Sequence, residues 1–376
     1  MSWKNCKKIL VIRADNLGDL LMSTPAIRAL KETFGAEITV LTSSMAAGAA
    51  KLIPEISSVI TYDLPWVKTD QSFRTGDFFD IVQRLEAESF DAAVVFTVYS
   101  QNPLPAAMLA YLARIPKRLA YCRENPYDLL TDWFPDKEPY SVIKHQVKRD
   151  LDLVASIGAA TSDDRLFLSA QDDLKPQVYE KLRMSGVIPD KPLIIVHPGV
   201  SEDKRKYPEE LWIETGIKLV DQLGFQLLLT GTANEKRLTD RIRAGIGPGS
   251  FSVAGIFSLP EFILLNRLAP LVIAVNTGTI HIAAATGTPV IVLYALTNPQ
   301  HAPWKVTGKV LPFDVPEKLR SRNEVIRHVY ENLFLENVPM AHPEEILSAA
   351  KGILREGTSE SIPELISLRS DHQDLF

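Results

Sequence analysis

The chain has 376 residues, 46% of them hydrophobic and 23% charged, a globular profile too long for one ordinary core and suited to two domains. Its formal net charge of -5 argues against a nucleic-acid binder, which carries a basic excess. Two cysteines, Cys6 and Cys122, are too few for a disulfide framework or a cysteine-rich zinc site.

The N-terminus runs directly into Ile9-Leu10-Val11-Ile12, too short for the apolar core of a signal peptide, and no apolar run is long enough to span a bilayer. A cytoplasmic protein is expected. Short apolar runs then alternate with helical patterns: strand Ile9–Ile12, helix Pro25–Phe34, strand Glu37–Leu41, helix Ala46–Leu52, strand Ser58–Tyr62, helix Phe78–Glu88 and strand Ala92–Phe96. An irregular stretch with Trp133, Pro135 and Pro139 precedes a helix at His145–Ile157. The alternation restarts after about residue 170. Strands Leu193–Val196, Gln226–Thr230, Leu271–Val275 and Val290–Tyr294 are separated by helices at Pro208–Leu223, Ala233–Ala244, Leu259–Ala269 and Thr279–Thr286. Continuous Val/Ile/Leu runs flanked by helices predict buried parallel strands in two α/β halves. The tail from Gly357 is polar and is expected to be poorly ordered.

In such sheets ligands sit beyond the carboxyl ends of the strands, so the loops there carry the candidates. After the first strand comes Arg13-Ala14-Asp15-Asn16-Leu17-Gly18-Asp19. Gly18 admits close backbone approach, and Asp19 is suited to take a proton or bind a sugar hydroxyl. Asp15 or Asp19 is equally suited to cap the helix, the commoner use, and spacing alone leaves the roles open. The loop is not GxGxxG, which makes a nicotinamide dehydrogenase a poor reading.

The second half offers a basic loop, Lys204-Arg205-Lys206, between a strand and the helix opened by Pro208. Arg suits bidentate contact with an oxyanion and Lys supplies a point charge; a solvated charge run is the competing reading. Asn276-Thr277-Gly278-Thr279-Ile280-His281 follows another strand and heads a helix of small residues, where free N–H groups and the helix dipole favour an anion. His281 can reach the same anion or pack. Glu235, in Gly231-Thr232-Ala233-Asn234-Glu235, can hold ribose hydroxyls or serve as a helix-start carboxylate. Asp150-Leu151-Asp152 spells a metal-binding DxD, but its mid-helix position points the two carboxylates apart, and the pair is read as surface. No metal site is expected.

Three segments in order resemble the heptosyltransferase family (glycosyltransferase family 9, GT-B fold). They are Ile12–Asp19 with Pro25–Leu30, His197-Pro198-Gly199 with Arg205-Lys206-Tyr207-Pro208, and Asn276–Ala285. The resemblance spans residues 8–300. It implies two Rossmann-like parallel-sheet domains facing across a cleft, an acceptor-binding domain over 1–170 and a nucleotide-sugar-binding domain over 171–356, followed by the 357–376 tail. It implies an inverting, metal-independent transfer of heptose from ADP-heptose, with no further cofactor, to a lipopolysaccharide-core or related glycan at the inner membrane face. Asp19 would be the general base, with Arg13 and Gly18 on the acceptor side. Arg205, Lys206, Thr277, Gly278, Thr279 and His281 would hold the donor phosphates, and Glu235 and Asn276 would lie at the nucleoside and sugar. Family members usually carry Asp at the position of Asn276, so a different sugar or base preference is expected. The acceptor walls are expected in Tyr62–Lys68 and Pro103–Arg118, with Trp66, Lys68, Arg114, Lys117 and Arg118 meeting an anionic glycan; ordinary surface residues fit the same pattern. Protein-directed heptosyl transfer, or nucleotide-sugar binding without catalysis, are the alternatives.

Overall fold

The computed structural model describes residues 2–67, 75–333 and 338–356; Lys68 and the 357–376 tail lie outside them. The chain forms two compact units, the first running to Leu166 and the second beginning at Phe167.

The first unit carries strands β1 (Lys8–Ile12), β2 (Glu37–Thr42), β3 (Ser58–Thr61), β4 (Ala92–Val95), β5 (Lys117–Cys122) and β6 (Asp132–Pro135). All ladders are parallel, in the order β3-β2-β1-β4-β5-β6. Helices α1 (Leu17–Met22), α2 (Thr24–Phe34), α3 (Ser44–Ala50), α4 (Thr75–Ala87), α5 (Leu104–Leu112) and α6 (Gln146–Ala155) accompany them. The inner strands are continuous apolar runs: Ala92, Ala93, Val94 and Val95 of β4 are all buried, because a parallel sheet is covered on both faces.

The second unit repeats the plan. Strands β7 (Leu193–His197), β8 (Gln226–Leu229), β9 (Ser250–Ser252), β10 (Val272–Val275), β11 (Val290–Ala295) and β12 (Gly308–Phe313) form a parallel sheet in the order β12-β11-β10-β7-β8-β9. Its helices are α7 (Lys175–Met184), α8 (Glu209–Leu223), α9 (Lys236–Ile246), α10 (Leu259–Leu268), α11 (Gly278–Thr286), α12 (Glu324–Leu333) and α13 (Pro343–Lys351). Helices α2 and α8 stop at Gly35 and Gly224, whose φ of 61° and 73° closes the last turn in a conformation that penalises a Cβ.

Renumbered from its own first strand, the second sheet has the same order as the first. In both, the chain leaves the first strand to one side and returns to the other, between β1 and β4 and between β7 and β10. At this reversal the loops splay apart beyond the strand ends and leave room for a ligand.

The sequence pattern marks edge strand β3 but not β5, β6, β9 or β12. The stretch around Trp133 expected to be irregular is strand β6, paired with β5 through Leu119 to Asp132 and Tyr121 to Phe134. Its alternating half-buried pattern, and the Pro at its end, are those of a sheet edge.

Candidate functional site

Strand β1 delivers Arg13, Ala14 and Asp15 to the first reversal point, and Asn16 opens α1. Asp19 stands at the third position of α1. Its Oδ2 accepts the Asn16 backbone N–H at 3.3 Å and its Oδ1 accepts from Arg13 Nη2 at 3.1 Å. The helix-start carboxylate is therefore also one half of a buried ion pair, with Arg13 wholly enclosed and Asp19 9% exposed. Gly18 lies buried in the same helical turn.

Arg13 serves more than one carboxylate. Its Nε lies 3.4 Å from Asp15 Oδ2, and Gln101 donates to Asp15 Oδ1 at 2.5 Å. Burial pushes the Asp15 carboxyl up from its ordinary value; Arg13 pulls it back and Asp19 adds to the rise.

Beneath this loop lies a residue that the sequence reading placed on the surface. Asp150, of the DxD-like triplet, is 1% exposed; only Asp152 faces solvent. Asp150 Oδ2 accepts from Ser23 Oγ at 2.6 Å and Oδ1 accepts from Gln146 Nε2 at 2.8 Å. Full burial pushes its carboxyl up to about 6, against the pull of Arg13 and the Ser23 hydroxyl. The expectation failed because α6 buries polar residues: Gln146, Arg149 and Asp150 share a face with Leu153 at helical spacing. That i, i+3, i+4 set of mutually compatible polar groups was the available signal. The companion expectation holds in part: the two acidic side chains do point apart.

A cavity of ≈260 Å³ opens beside Asp15, lined by Trp66, Phe96, Gln101, Asn102 and Pro105 among others. Trp66 and the Pro103 end of the expected acceptor wall thus reach the strand carboxyl ends. Arg114, Lys117 and Arg118 do not. They lie where α5 runs into the amino end of β5, at the opposite edge of the sheet. Arg118 donates to the Leu129 carbonyl at 2.9 Å and the Asp128 carbonyl at 2.6 Å, tying a loop together, while Lys117 donates to the Ser2 carbonyl at 2.6 Å and Arg114 pairs with Glu86.

In the second unit, the loop after β7 reaches the loop after β10. Arg205 Nη1 donates to the Asn276 carbonyl at 3.2 Å and Nη2 lies 3.2 Å from Glu202 Oε2, while its buried Nε has no hydrogen-bond partner among the described residues. An Arg held so, with a donor in reserve, is suited to an oxyanion. Tyr207 anchors the loop: its ring packs against Trp212 and its hydroxyl donates to the Ala341 carbonyl at 2.6 Å. Lys206 points elsewhere, exposed and paired with Asp203 at 2.7 Å.

Thr277 is the N-cap of α11, and its own side chain makes no capping hydrogen bond among the described residues. Thr277 and Gly278 are half-buried, whereas Thr279 and His281 are buried below the first turn. After β8, Glu235 Oε2 accepts from the Thr232 backbone N–H at 2.6 Å and from the Thr232 hydroxyl at 2.9 Å. Its carboxylate also packs against Gly199, where a Cβ would come within 2.0 Å of Glu235 Oε1. Burial pushes the His197 imidazole down, opposed by Glu235, and the ring shares a hydrogen bond with Thr230.

Asn276 clamps two strand ends. Its Nδ2 donates to the Ala295 carbonyl at 3.0 Å while its Oδ1 accepts the Ala295 N–H at 3.1 Å. Nδ2 also lies 3.3 Å from Thr297 Oγ1. The amide supplies both a donor and an acceptor to the backbone of one residue; a carboxylate would face the Ala295 carbonyl with no donor.

Residues 78–322 match the family described as Glycosyltransferase family 9 (heptosyltransferase). The chain belongs to this family. It is 24% identical over 314 residues to lipopolysaccharide heptosyltransferase 2 of Escherichia coli K12, covering 79% of this chain and 85% of that protein. A glycosyl transferase family 9 structure from Veillonella parvula superposes with a TM-score of 0.76 at 17% identity, over 94% of this chain and 98% of the other. The E. coli ADP-heptose lps heptosyltransferase II superposes with a TM-score of 0.71 at 20% identity, over 93% and 99%. The protein is thus a glycosyltransferase with the GT-B-like pair of parallel six-stranded sheets.

Two consequences follow from these contacts. A carboxyl raised by folding stabilises the fold below its unfolded pKa, and that contribution disappears as pH rises through the folded value, here about 6. Asp150→Asn carries no such titration, so between pH 5 and pH 7.5 it gains on wild type by about 1.4 kcal/mol. Urea denaturation at the two pH values measures this, and a pH-independent difference contradicts it. Asn276→Asp leaves a buried carbonyl without its donor and costs about 1–3 kcal/mol of stability, read from thermal melts.

Proposed function

We propose that the protein transfers heptose from ADP-heptose to a lipopolysaccharide-core acceptor, with inversion at the anomeric carbon. The acceptor hydroxyl gives its proton to Asp19 as its oxygen bonds to the anomeric carbon. The bond from that carbon to the diphosphate oxygen breaks, and ADP leaves. General-base action of this kind contributes about 10²–10⁴-fold. The second unit would hold the donor, with Arg205 and the α11 terminus taking the negative charge that grows on the diphosphate. Glu235 would hold ribose hydroxyls through Oε1, since Thr232 occupies Oε2. This arrangement supplies the charge from protein groups and requires no metal.

The observation that carries the donor half is the meeting of Arg205 with Asn276 at the head of α11, whose N-cap side chain makes no capping hydrogen bond among the described residues. The E. coli relatives, a lipopolysaccharide heptosyltransferase 2 and an ADP-heptose lps heptosyltransferase II, point to the same donor and acceptor class. Asn276 is engaged with Ala295, so in this reading its amide sets the shape of the turn while the backbone and Arg205 meet the phosphates.

The donor half is tested by thermal shift with ADP, GDP, UDP, ADP-heptose and NAD on wild type and Arg205→Ala. At 100 times its Kd a ligand stabilises by about 2.7 kcal/mol. ADP and ADP-heptose are expected to raise the midpoint of the wild type and much less that of the variant. A wild type that responds to none of the nucleoside diphosphates contradicts the donor assignment.

A further inference from the structure

A second cavity, of ≈640 Å³, lies in the second unit and is lined by residues from Lys204, the 296–297 turn and the 315–331 segment. The volume falls in the range of ligand pockets, and the cavity opens to solvent past exposed Glu317, Lys318, Arg320 and Arg322. Five of its side chains are cationic (Lys204, Lys318, Arg320, Arg322 and Arg327) and two, Glu317 and Glu331, are anionic. That local excess runs against the formal net charge of -5 for the whole chain.

The cations are not equally engaged. Lys204 lies 3.3 Å from Glu202 and Arg327 lies 3.5 Å from Glu331. Arg320 is fixed by its protein contacts: Nε donates to the Val315 carbonyl at 3.2 Å, and its guanidinium lies 3.9 Å from the centre of the Tyr330 ring. Stacking of that kind orients the fork without neutralising it. Lys318 and Arg322 have no carboxylate partner among the described residues. A cavity holding a fixed guanidinium and two unneutralised cations is built for a ligand with more than one negative charge.

Most of the cavity lies farther along the sheet edge than the donor site. Strands lie about 4.8 Å apart, and their carboxyl ends follow the order β8, β7, β10, β11, β12. Glu235 follows β8, Arg205 follows β7 and the Asn276 turn follows β10, so a nucleoside diphosphate placed as proposed extends from β8 to β10. The cavity touches the β7 loop at Lys204, next to Arg205, and otherwise runs from Leu296 and Thr297, beyond β11, to the 315–331 segment behind β12. Thr297 receives Nδ2 of Asn276 at 3.3 Å, so the two sites share a wall. A neutral transferred sugar needs hydroxyl partners there, not several cations.

The geometry points to this cavity as a second anion site, which takes phosphate or carboxylate groups of the acceptor saccharide. The inference rests on the donor reading above for its direction along the sheet. It makes the second unit, and not the first alone, a determinant of acceptor choice.

The test uses the full chain, with heptose-deficient lipopolysaccharide in detergent as the probe and binding measured at saturating ADP. The double variant Lys318→Gln, Arg322→Gln alters two exposed side chains with no ion pair among the described residues, and its melting midpoint confirms folding. Its affinity for the intact glycan is expected to fall about tenfold, with ADP affinity within twofold of wild type. Phosphatase-treated or carboxyl-reduced glycan should bind the wild type as weakly as intact glycan binds the variant, and the treatment responsible identifies the anion. Unchanged glycan affinity in the variant overturns the inference, as does a tenfold loss of ADP affinity, which would make the cavity part of the donor site. ADP binding to the wild type reports separately on the donor reading, so the two fail in distinguishable ways. Lys318→Glu with Arg322→Glu should deepen the loss if charge is the cause, and the whole effect should shrink at high salt.

Discussion

The reversal of strand order in each sheet is the constraint from which the rest follows. A parallel strand presents its carboxyl end to the same edge as its neighbours, and only where the chain changes direction do adjacent loops part. Arg13, Asp15 and Asp19 occupy that place in the first unit, and Arg205 with Asn276–Gly278 occupies it in the second. The two halves of the proposed chemistry are therefore placed by one topological rule used twice, with different loops grafted on.

The two loops solve the burial of polar groups differently. Around Arg13 the solution is ionic: Asp19, Asp15 and Asp150 act on one enclosed guanidinium, and the excess negative charge is eased by raising Asp15 and Asp150. Asp19 is left with both oxygens oriented, one by Arg13 and one by the Asn16 N–H. At Asn276 the solution is neutral, an amide matched to the N–H and C=O of one residue, which fixes the ends of β10 and β11 without adding charge beside the proposed phosphate site. A carboxylate at that position would need another arrangement of the Ala295 peptide, which ties the identity of this residue to the backbone around it.

What the sequence made legible follows from where burial is complete. Ile9–Ile12, Ala92–Phe96, Leu271–Val275 and Val290–Tyr294 read as strands because a covered parallel strand is apolar on both faces. Strands β6, β9 and β12 lie at or beside edges, where half-exposed residues and short length erase that pattern. The loops carrying Asp19, Arg205 and Thr277 stand out in the sequence because motif and strand end coincide. Asp150 was lost because its partners, Ser23 and Arg13, come from over a hundred residues away, and a polar helix face reads as solvated until something is known to cover it. Arg118 erred the other way: a cation beside a candidate wall proved to be the tie of a loop, since sequence does not reveal which end of a strand a residue approaches until the connection is traced.

The central claim is that Asp19 removes the acceptor proton and that Arg13 holds it for that task. Turnover of ADP-heptose with heptose-deficient lipopolysaccharide, compared between wild type and Asp19→Asn at matched ADP affinity, tests it most directly. Asparagine keeps the size and the contact to the Asn16 N–H but takes up no proton, so kcat should fall by about 100-fold or more while ADP binding stays unchanged. An Asp19→Asn enzyme with kcat near that of wild type would contradict the assignment and leave Asp19 as the helix-start half of a structural ion pair.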